Sequence, residues 1–169
     1  MKIKKDMREN IALYQEKIGV SIDMLTSTLS RLVNPIATDV KVVSRIKDPE
    51  TLRKKMLRKN TRDIFSIHDI YGIRLIVRSI DDAYLIFEKI QKEFHMYLAN
   101  DFIKNPLALH DPGFEGKSFR CLRIVAYKND APFEIQITTD AFHEINEAHH
   151  KIYHKKLYCC QGETHDKRS

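Results

Sequence analysis

The stretch Ile70-Tyr-Gly-Ile-Arg-Leu-Ile-Val77 decides the fold, because apolar side chains stand on both of its faces. Such a run of this length predicts a buried strand. Asp69 stands immediately before the strand. After it, Ser79-Ile-Asp-Asp82 resembles a capping box with Asp in its last position, which predicts a helix to about His95.

Working outward from this strand, the apolar spacing, prolines and turn residues predict the remaining elements. They are one or two helices over 8–33, a strand over 38–46, a helix from N-cap Asp48 to about Asn60, a loop over 99–117, two strands over 119–127 and 133–138 joined by a hairpin, and a last helix from 139 or 140 to 157. This order predicts an α/β (α+β) fold, a single mixed β-sheet flanked by helices. We expect an N-terminal helical segment over 1–35, a main domain over 36–158 and a polar tail over 159–169.

Composition narrows the class of protein. The chain has 169 residues, 43% of them hydrophobic, which suits one domain with its own core. No apolar run approaches the roughly 20 residues of a membrane span, and no apolar leader follows the basic N-terminus. We therefore expect a cytoplasmic protein with no membrane partner. Three cysteines without a CxxC spacing predict neither a disulfide framework nor a structural zinc site.

Positive charge is concentrated between residues 45 and 62, where eight basic side chains face two acidic ones. Arg45 and Lys47 are two residues apart at a strand end and so share a face, while Lys55, Arg58 and Arg62 have helical spacing. Together they could surround a triphosphate. A solvated helix face is the alternative that composition leaves open.

Two carboxylates suggest phosphoryl chemistry. Asp69 lies at the edge of the buried strand, and Glu134 shares one strand face with Gln136 and Thr138. Carboxylates in such places are costly unless paired or bound to a cation, and Mg²⁺ prefers oxygen ligands. Spacing alone leaves open that Asp69 pairs with Arg74, and Glu134 with a lysine.

The last helix carries His143, Glu147, His150 and His154 along one face. This pattern allows a transition-metal site, but the HExxH motif is missing, and we favour a polar or substrate-facing helix surface. Neither GxxxxGK[ST] nor GxGxxG occurs, so a bound nucleotide would be held by side chains.

Four segments together resemble the synthetase domain of the RelA/SpoT family. Ser44-Arg-Ile-Lys-Asp-Pro-Glu-Thr-Leu-Arg-Lys-Lys-Met56 is similar to R-x-K-x-x-x-[ST]-[IL]-x-x-K-M, and Ile67-His-Asp-Ile-Tyr-Gly-Ile-Arg-Leu-Ile76 to the D-[IL]-x-[AG]-[IV]-R strand. Phe133-Glu-Ile-Gln-Ile-Thr-Thr139 is similar to E-[IV]-Q-[IFL]-R-T, and His149-His-Lys-Ile-Tyr-His-Lys155 to E-H-K-I-x-Y-K.

The resemblance implies a pyrophosphokinase that uses Mg²⁺ and ATP. It implies that Asp69 and Glu134 are catalytic and hold Mg²⁺. The implied ATP and phosphate ligands are Arg45, Lys47, Lys55, Arg58 and Arg74. A ribose 3′-hydroxyl of GDP or GTP would attack the β-phosphorus, and AMP would leave.

The acceptor segment departs from the family pattern. Leu107 replaces the lysine of D-Y-I-x-x-P-K, a short insertion follows, Lys117 replaces a base-stacking tyrosine, and Thr138 replaces an arginine. The expected acceptor ligands are Lys104, Phe114, Lys117, Gln136 and His150, with Phe119 as an alternative to Phe114 for stacking on the base.

The sequence is compatible with three functions. The first is a GDP or GTP pyrophosphokinase, and the second is the same chemistry on another acceptor such as the 3′ end of tRNA. The third is a catalytically inactive nucleotide-binding regulatory domain. We also expect a homo-oligomer assembled through helices.

Overall fold

The computed structural model describes the backbone of residues 2–159 and the side chains of residues 7–152. The chain begins with helices α1 (Lys2–Ile18) and α2 (Ile22–Val33). Gly19 separates them at φ +69°, a conformation that favours glycine, and the Ser21 side chain accepts a hydrogen bond from the Met24 amide as the N-cap of α2. The helix predicted over 8–33 is therefore two helices with a glycine joint.

Five strands form the predicted mixed sheet, in the order β1-β2-β7-β6-β3. Their bounds are β1 Lys41–Ile46, β2 Tyr71–Val77, β3 His95–Asp101, β6 Leu122–Lys128 and β7 Ala131–Thr139. Strands β2 and β7 run parallel, and the other neighbouring pairs are antiparallel. The stretch around Ile73 is thus the second strand of the sheet, buried as its sequence predicts.

Helices cover the two faces of the sheet unequally. Helices α1, α2 and α4 (Ile80–Glu93) contact one face, where the main core lies. Helix α5 (Asp140–Cys159) contacts β2, β7 and the loop strand β5 (Ser118–Phe119), on the opposite side from this core. Part of that second face therefore remains open beside α5.

The N-terminal helices belong to the same core as the sheet. Tyr14, Ile18, Leu25 and Leu29 are buried in one cluster with Ile135 of β7. The buried Tyr14 hydroxyl donates a 2.7 Å hydrogen bond to the Pro132 carbonyl, which ties α1 to the start of β7. The boundary predicted at residue 35 separates segments that share this core.

The hairpin between β6 and β7 is confirmed. Its turn residues Asn129 and Asp130 have φ values of 50° and 61°, which Asn and Asp tolerate better than most residues. The Asn129 side chain donates a 3.0 Å hydrogen bond to the Ile18 carbonyl. The turn therefore also anchors the end of α1.

The loop predicted over 99–117 is wrong at its start, because β3 occupies His95–Asp101 and α4 already ends at Glu93. Two short strands, β4 (Leu107–Ala108) inside the predicted loop and β5 just after it, then pair antiparallel. The strand predicted over 119–127 is interrupted between β5 and β6. This acceptor segment is therefore more ordered than its Pro and Gly content indicates.

Helix α3 (Pro49–Arg58) begins as predicted, with the Asp48 carboxylate accepting from the Thr51 amide and Pro49 in the first turn. The helix ends at Arg58, so the prediction that Arg62 shares its face is wrong. The side chains of residues 153–169 lie outside the described part of the chain, and with them His154 and all of the predicted tail except the Cys159 backbone. Among the described helices, none has the length and apolarity needed to cross a membrane.

The tie between α1 and β7 can be tested with Tyr14→Phe. Loss of the hydroxyl leaves the buried Pro132 carbonyl without this donor, and we expect the free energy of unfolding to fall by about 1–2 kcal/mol in denaturant titrations. Tyr97→Phe, at a side chain that is 45% exposed, is the control, with an expected change within about 0.5 kcal/mol. Equal losses in the two variants would contradict the role given to Tyr14.

Candidate functional site

The two acids predicted as catalytic meet on the open face of the sheet. Asp69 lies two residues before β2, Gly72 of β2 pairs with Glu134 of β7, and Arg45 of β1 pairs with Gly72 from the other side. Two cavities with shared lining residues open here, of about 210 Å³ and 560 Å³. Asp69, Glu134 and Arg45 line both, so the acids stand at the junction.

Asp69 is held by two lysines. Its Oδ2 atom lies 3.0 Å from Lys47 Nζ and 2.7 Å from Lys55 Nζ. Burial alone would raise the pKa of this carboxyl, but the two ammonium groups outweigh burial and lower the pKa to about 2. Lys47 is itself buried, and burial lowers its pKa despite the attraction of Asp69.

The second oxygen of Asp69 has a different environment. Oδ1 is buried and has no hydrogen-bond partner among the described residues. A buried carboxylate oxygen without a donor is costly, unless a cation or a ligand donor satisfies it. The Asp69 side chain therefore presents one fixed oxygen and one oxygen available for coordination.

Glu134 is as buried as Asp69, with 14% of its side chain exposed against 15% for Asp69. Its Oε1 atom accepts a 2.7 Å hydrogen bond from Gln136 Nε2, and its Oε2 atom lies 3.5 Å from Arg123 Nε. Burial and the nearby negative charge of Asp69 raise the pKa of Glu134. A proton or a bound cation would relieve this repulsion.

These carboxylates fit a divalent cation bound through few protein ligands. The described residues contain no cluster of three or more metal-ligating side chains. Mg²⁺ commonly takes one or two carboxylates and completes its octahedron with water and phosphate oxygens. The free Asp69 oxygen and the neighbouring Glu134 carboxylate match this donor set.

The basic residues predicted to bind phosphate lie in different places. Arg45 and Lys55 line the larger cavity, together with Lys59 and Arg123. Lys47 is 8% exposed and lies against Asp69, so it reaches a ligand only through that acid. Arg58, on α3, is not among the residues that line the two cavities.

Arg74 lines both cavities, but its donors are largely occupied. Its Nε and Nη2 atoms donate to Gln136 Oε1 at 3.1 and 3.0 Å. Its Nη1 atom donates to Glu147 of α5 and lies 3.3 Å from His143 Nδ1. Arg74 therefore pairs with Glu147 and not with Asp69, the partner that spacing alone had left open.

An apolar wall distinguishes the larger cavity. It consists of Phe102, Leu107, Leu109 and Phe119 from the acceptor segment. The rings of Phe102 and Phe119 meet edge to face with centroids 5.5 Å apart. Basic side chains line the same cavity, so it suits a molecule with both a flat apolar part and phosphate groups.

Of the predicted acceptor ligands, Gln136 and His150 line the larger cavity. Lys104, Phe114 and Lys117 are not among the residues that line either cavity. Lys104 lies over the Tyr84 ring, and Lys117 lies over the ring of the buried Phe114. Phe119, the alternative aromatic residue, is the one in the cavity wall.

The sequence reasoning missed the contact that holds the inserted loop to α5. His149 Nε2 lies 2.7 Å from Asp111 Oδ2, and the His149 and Phe114 rings meet edge to face at 5.2 Å. His149 stands where the E-H-K pattern has Glu, and Asp111 lies in the insertion. These two departures from the pattern, taken together, were the available signal.

Comparison with known proteins matches most of the chain to one protein family. Residues 44–158 match the family described as "Region found in RelA / SpoT proteins", a span that holds all four motifs. The chain is 28% identical over 159 residues to "Probable GTP diphosphokinase RSH2, chloroplastic" of Oryza sativa subsp. japonica. That match takes in 82% of the chain and 21% of the rice protein, so the chain spans about a fifth of this relative.

Solved structures agree with the fold. Small alarmone synthetase 2 of Bacillus subtilis is 25% identical with a TM-score of 0.65, over 90% of this chain and 82% of that one. Small alarmone synthetase 1 of Bacillus subtilis, bound to its product pppGpp, is 19% identical with a TM-score of 0.70, over 90% and 83% of the two chains. The predicted mixed-sheet fold is confirmed.

The lysine pair around Asp69 predicts a specific dependence of stability on pH. Because the pKa falls from 3.8 to about 2 on folding, its contribution is present above about pH 4 and is lost as pH falls through 2. The shift corresponds to about 2 kcal/mol. Asp69→Asn should abolish this component and, by leaving Lys47 buried without its counter-charge, should destabilise the protein by about 3 kcal/mol at neutral pH.

Denaturant unfolding of wild type and variant between pH 2 and 7 measures both effects. Asp81→Asn, at an exposed acid in the first turn of α4, is the matched control. A wild-type protein whose stability changes with pH no more than that of Asp69→Asn would refute the coupling.

Proposed function

Because the chain belongs to the family of proteins with the RelA/SpoT region, we propose that it is a pyrophosphokinase acting on GDP or GTP. The observation that carries the proposal is that Asp69 and Glu134 line both cavities, the larger of which also has basic and apolar lining residues. Phosphates of both substrates would meet there. A cytoplasmic location and a homo-oligomer, both predicted from the sequence, are further parts of this proposal.

The reaction needs little covalent chemistry from the protein. The acceptor ribose 3′-hydroxyl attacks the β-phosphorus of ATP, the bond between that phosphorus and the α–β bridging oxygen breaks, and AMP leaves. The hydroxyl proton passes to the carboxylate of Glu134, which lines both cavities and so lies within the reacting centre. The remaining work is positioning and charge neutralisation.

Arg45 and Lys55 are suited to the ATP phosphates because they border the acids at the junction. Lys47 has a supporting role, because it contacts Asp69 Oδ2 and leaves Oδ1 without a hydrogen-bond partner among the described residues. Mg²⁺, held by Asp69 and Glu134, would supply neutralisation of the phosphate charge. Arg45 and Arg74 also line the smaller cavity, which we assign to the donor nucleotide.

The larger cavity is assigned to the acceptor. Nucleotide bases stack on aromatic rings, and Phe119 offers one in the wall of this cavity, braced edge to face by Phe102. Lys117, which replaces the stacking tyrosine of the family pattern, lies over Phe114 instead. The acceptor site would thus keep an aromatic surface, moved two residues along the chain.

AMP release from ATP and Mg²⁺ by the purified protein tests the activity, with GDP, GTP, ATP or bulk tRNA offered separately. We expect AMP with GDP or GTP, and a loss of at least a hundredfold in kcat for Asp69→Ala and Glu134→Gln, since each removes a charged group at the reacting phosphates. AMP formed with tRNA alone would assign a different acceptor. ATP binding without AMP release for any acceptor would indicate the non-catalytic alternative.

Phe119→Ala tests the acceptor assignment. Loss of the stacking surface should raise KM for the guanine nucleotide by about tenfold or more and leave KM for ATP unchanged. Phe119→Tyr keeps the ring and should retain most of the affinity. A rise in KM for ATP instead, or equal losses in the two variants, would contradict the assignment.

A further inference from the structure

Residues of helix α5 and of strand β7 hold the Arg74 side chain in place, and we call Arg74 with its partners Gln136, His143 and Glu147 the clamp. The guanidinium group makes four hydrogen bonds to described residues: two to Gln136 on β7, one to Glu147 and one to His143. Gln136 holds one edge of the group, and the two α5 residues hold the other. An arginine carries five N–H donors, so this clamp uses most of its hydrogen-bonding capacity.

The charges around the clamp are consistent with it. Burial alone would raise the pKa of Glu147, but its hydrogen bond to Arg74 and the charge of Arg74 lower it, so the carboxylate is ionised at neutral pH. Burial and the nearby Arg74 lower the pKa of His143, which favours a neutral ring that accepts at Nδ1. Glu147 is therefore the one negative charge in the clamp.

The clamp lies in the wall of the smaller cavity, where it can affect ligand binding. Arg74, Gln136, His143 and Glu147 all line the smaller cavity, together with Arg45. An arginine side chain has several rotatable bonds, and ordering it when a ligand binds reduces affinity. A guanidinium that α5 already holds in place has lost this freedom before the ligand arrives.

We propose that Glu147 is a positioning residue for the donor nucleotide, and that it acts by fixing Arg74 in the wall of the smaller cavity. This inference rests on the proposed function, in which that cavity receives the donor. It gives Arg74 a role different from that of a free phosphate ligand. Glu147 lies outside the four motifs, and its partner is 73 residues away.

Two other roles for Glu147 would change nucleotide affinity differently when Glu147 is removed. If Glu147 competed with nucleotide phosphates for Arg74, its removal would free the guanidinium and strengthen binding. If the pair served only stability, its removal would lower the melting temperature without changing affinity for the nucleotide. Binding measurements therefore separate the three roles.

The experiment is calorimetric titration of the full chain with α,β-methylene-ATP and Mg²⁺, which needs no acceptor and no turnover. We expect Glu147→Ala to weaken binding by about tenfold, the cost of ordering one such side chain. Glu147→Gln should lie between wild type and Glu147→Ala, since its amide oxygen still accepts from Arg74 but carries no charge. Glu144→Ala, at an exposed acid on the same helix, should bind as wild type does.

A double-mutant cycle with Arg74→Ala tests whether Glu147 acts through Arg74. Arg74→Ala and the double variant should bind the analogue equally weakly. Tighter or unchanged binding by folded Glu147→Ala, or additive losses in the cycle, would overturn the inference, and Glu147→Gln serves if Glu147→Ala does not fold. Binding by wild type without AMP release would sink the proposed activity alone, whereas no binding by wild type would sink both.

Discussion

The pairing of Asp69 with Lys47 and Lys55 is the interaction on which the site depends. Lys47 follows β1, Lys55 lies on α3 and Asp69 precedes β2, so one carboxylate oxygen joins three elements. Two ammonium groups against one carboxylate leave an excess positive charge beside the cavities. Because both lysines contact Oδ2, the buried Oδ1 is left for a ligand. The ion cluster of Asp69, Lys47 and Lys55 thus both joins three elements of the fold and forms part of the candidate ligand site.

The sheet turns this local arrangement into a site. Strands β2 and β7 pair in parallel, which places Gly72 beside Glu134 and, two residues further along, Arg74 beside Gln136. Strand β1 adds Arg45, which pairs with Gly72 from the other side. Polar and charged side chains thus collect on one face, while α1, α2 and α4 bury the other. The acceptor segment then supplies the apolar wall and α5 supplies Glu147 and His143. Charged and apolar side chains thus line one cavity, as a nucleotide with its phosphates requires.

Sequence patterns predicted the parts that depend on local spacing or on a family motif. The buried β2, the capped α3 and the hairpin at Asn129 are confirmed, because each follows from residues close together in the chain. The mixed sheet is confirmed as well, and it follows from the order of the elements. Strand β3 was missed because His95-Met-Tyr-Leu-Ala-Asn-Asp101 is an edge strand with a register shift and no clean alternation. Arg62 was misplaced because helical spacing was extended past the end of α3.

Contacts between segments far apart in the chain could not be predicted from local sequence patterns. These contacts determine which residues line the acceptor cavity. The family pattern has an acid at the position of His149, and the inserted loop carries the acid Asp111 that contacts it. The pair thus has the acid on the loop and the base on the helix. With the loop held to α5 by this pair, the Phe114 ring contacts His149 and Lys117 lies over the Phe114 ring. Phe119 is then the aromatic residue that lines the cavity, together with Phe102. The substitutions that look separate in sequence are therefore one rearrangement of the loop against α5, and the change of stacking residue follows from it.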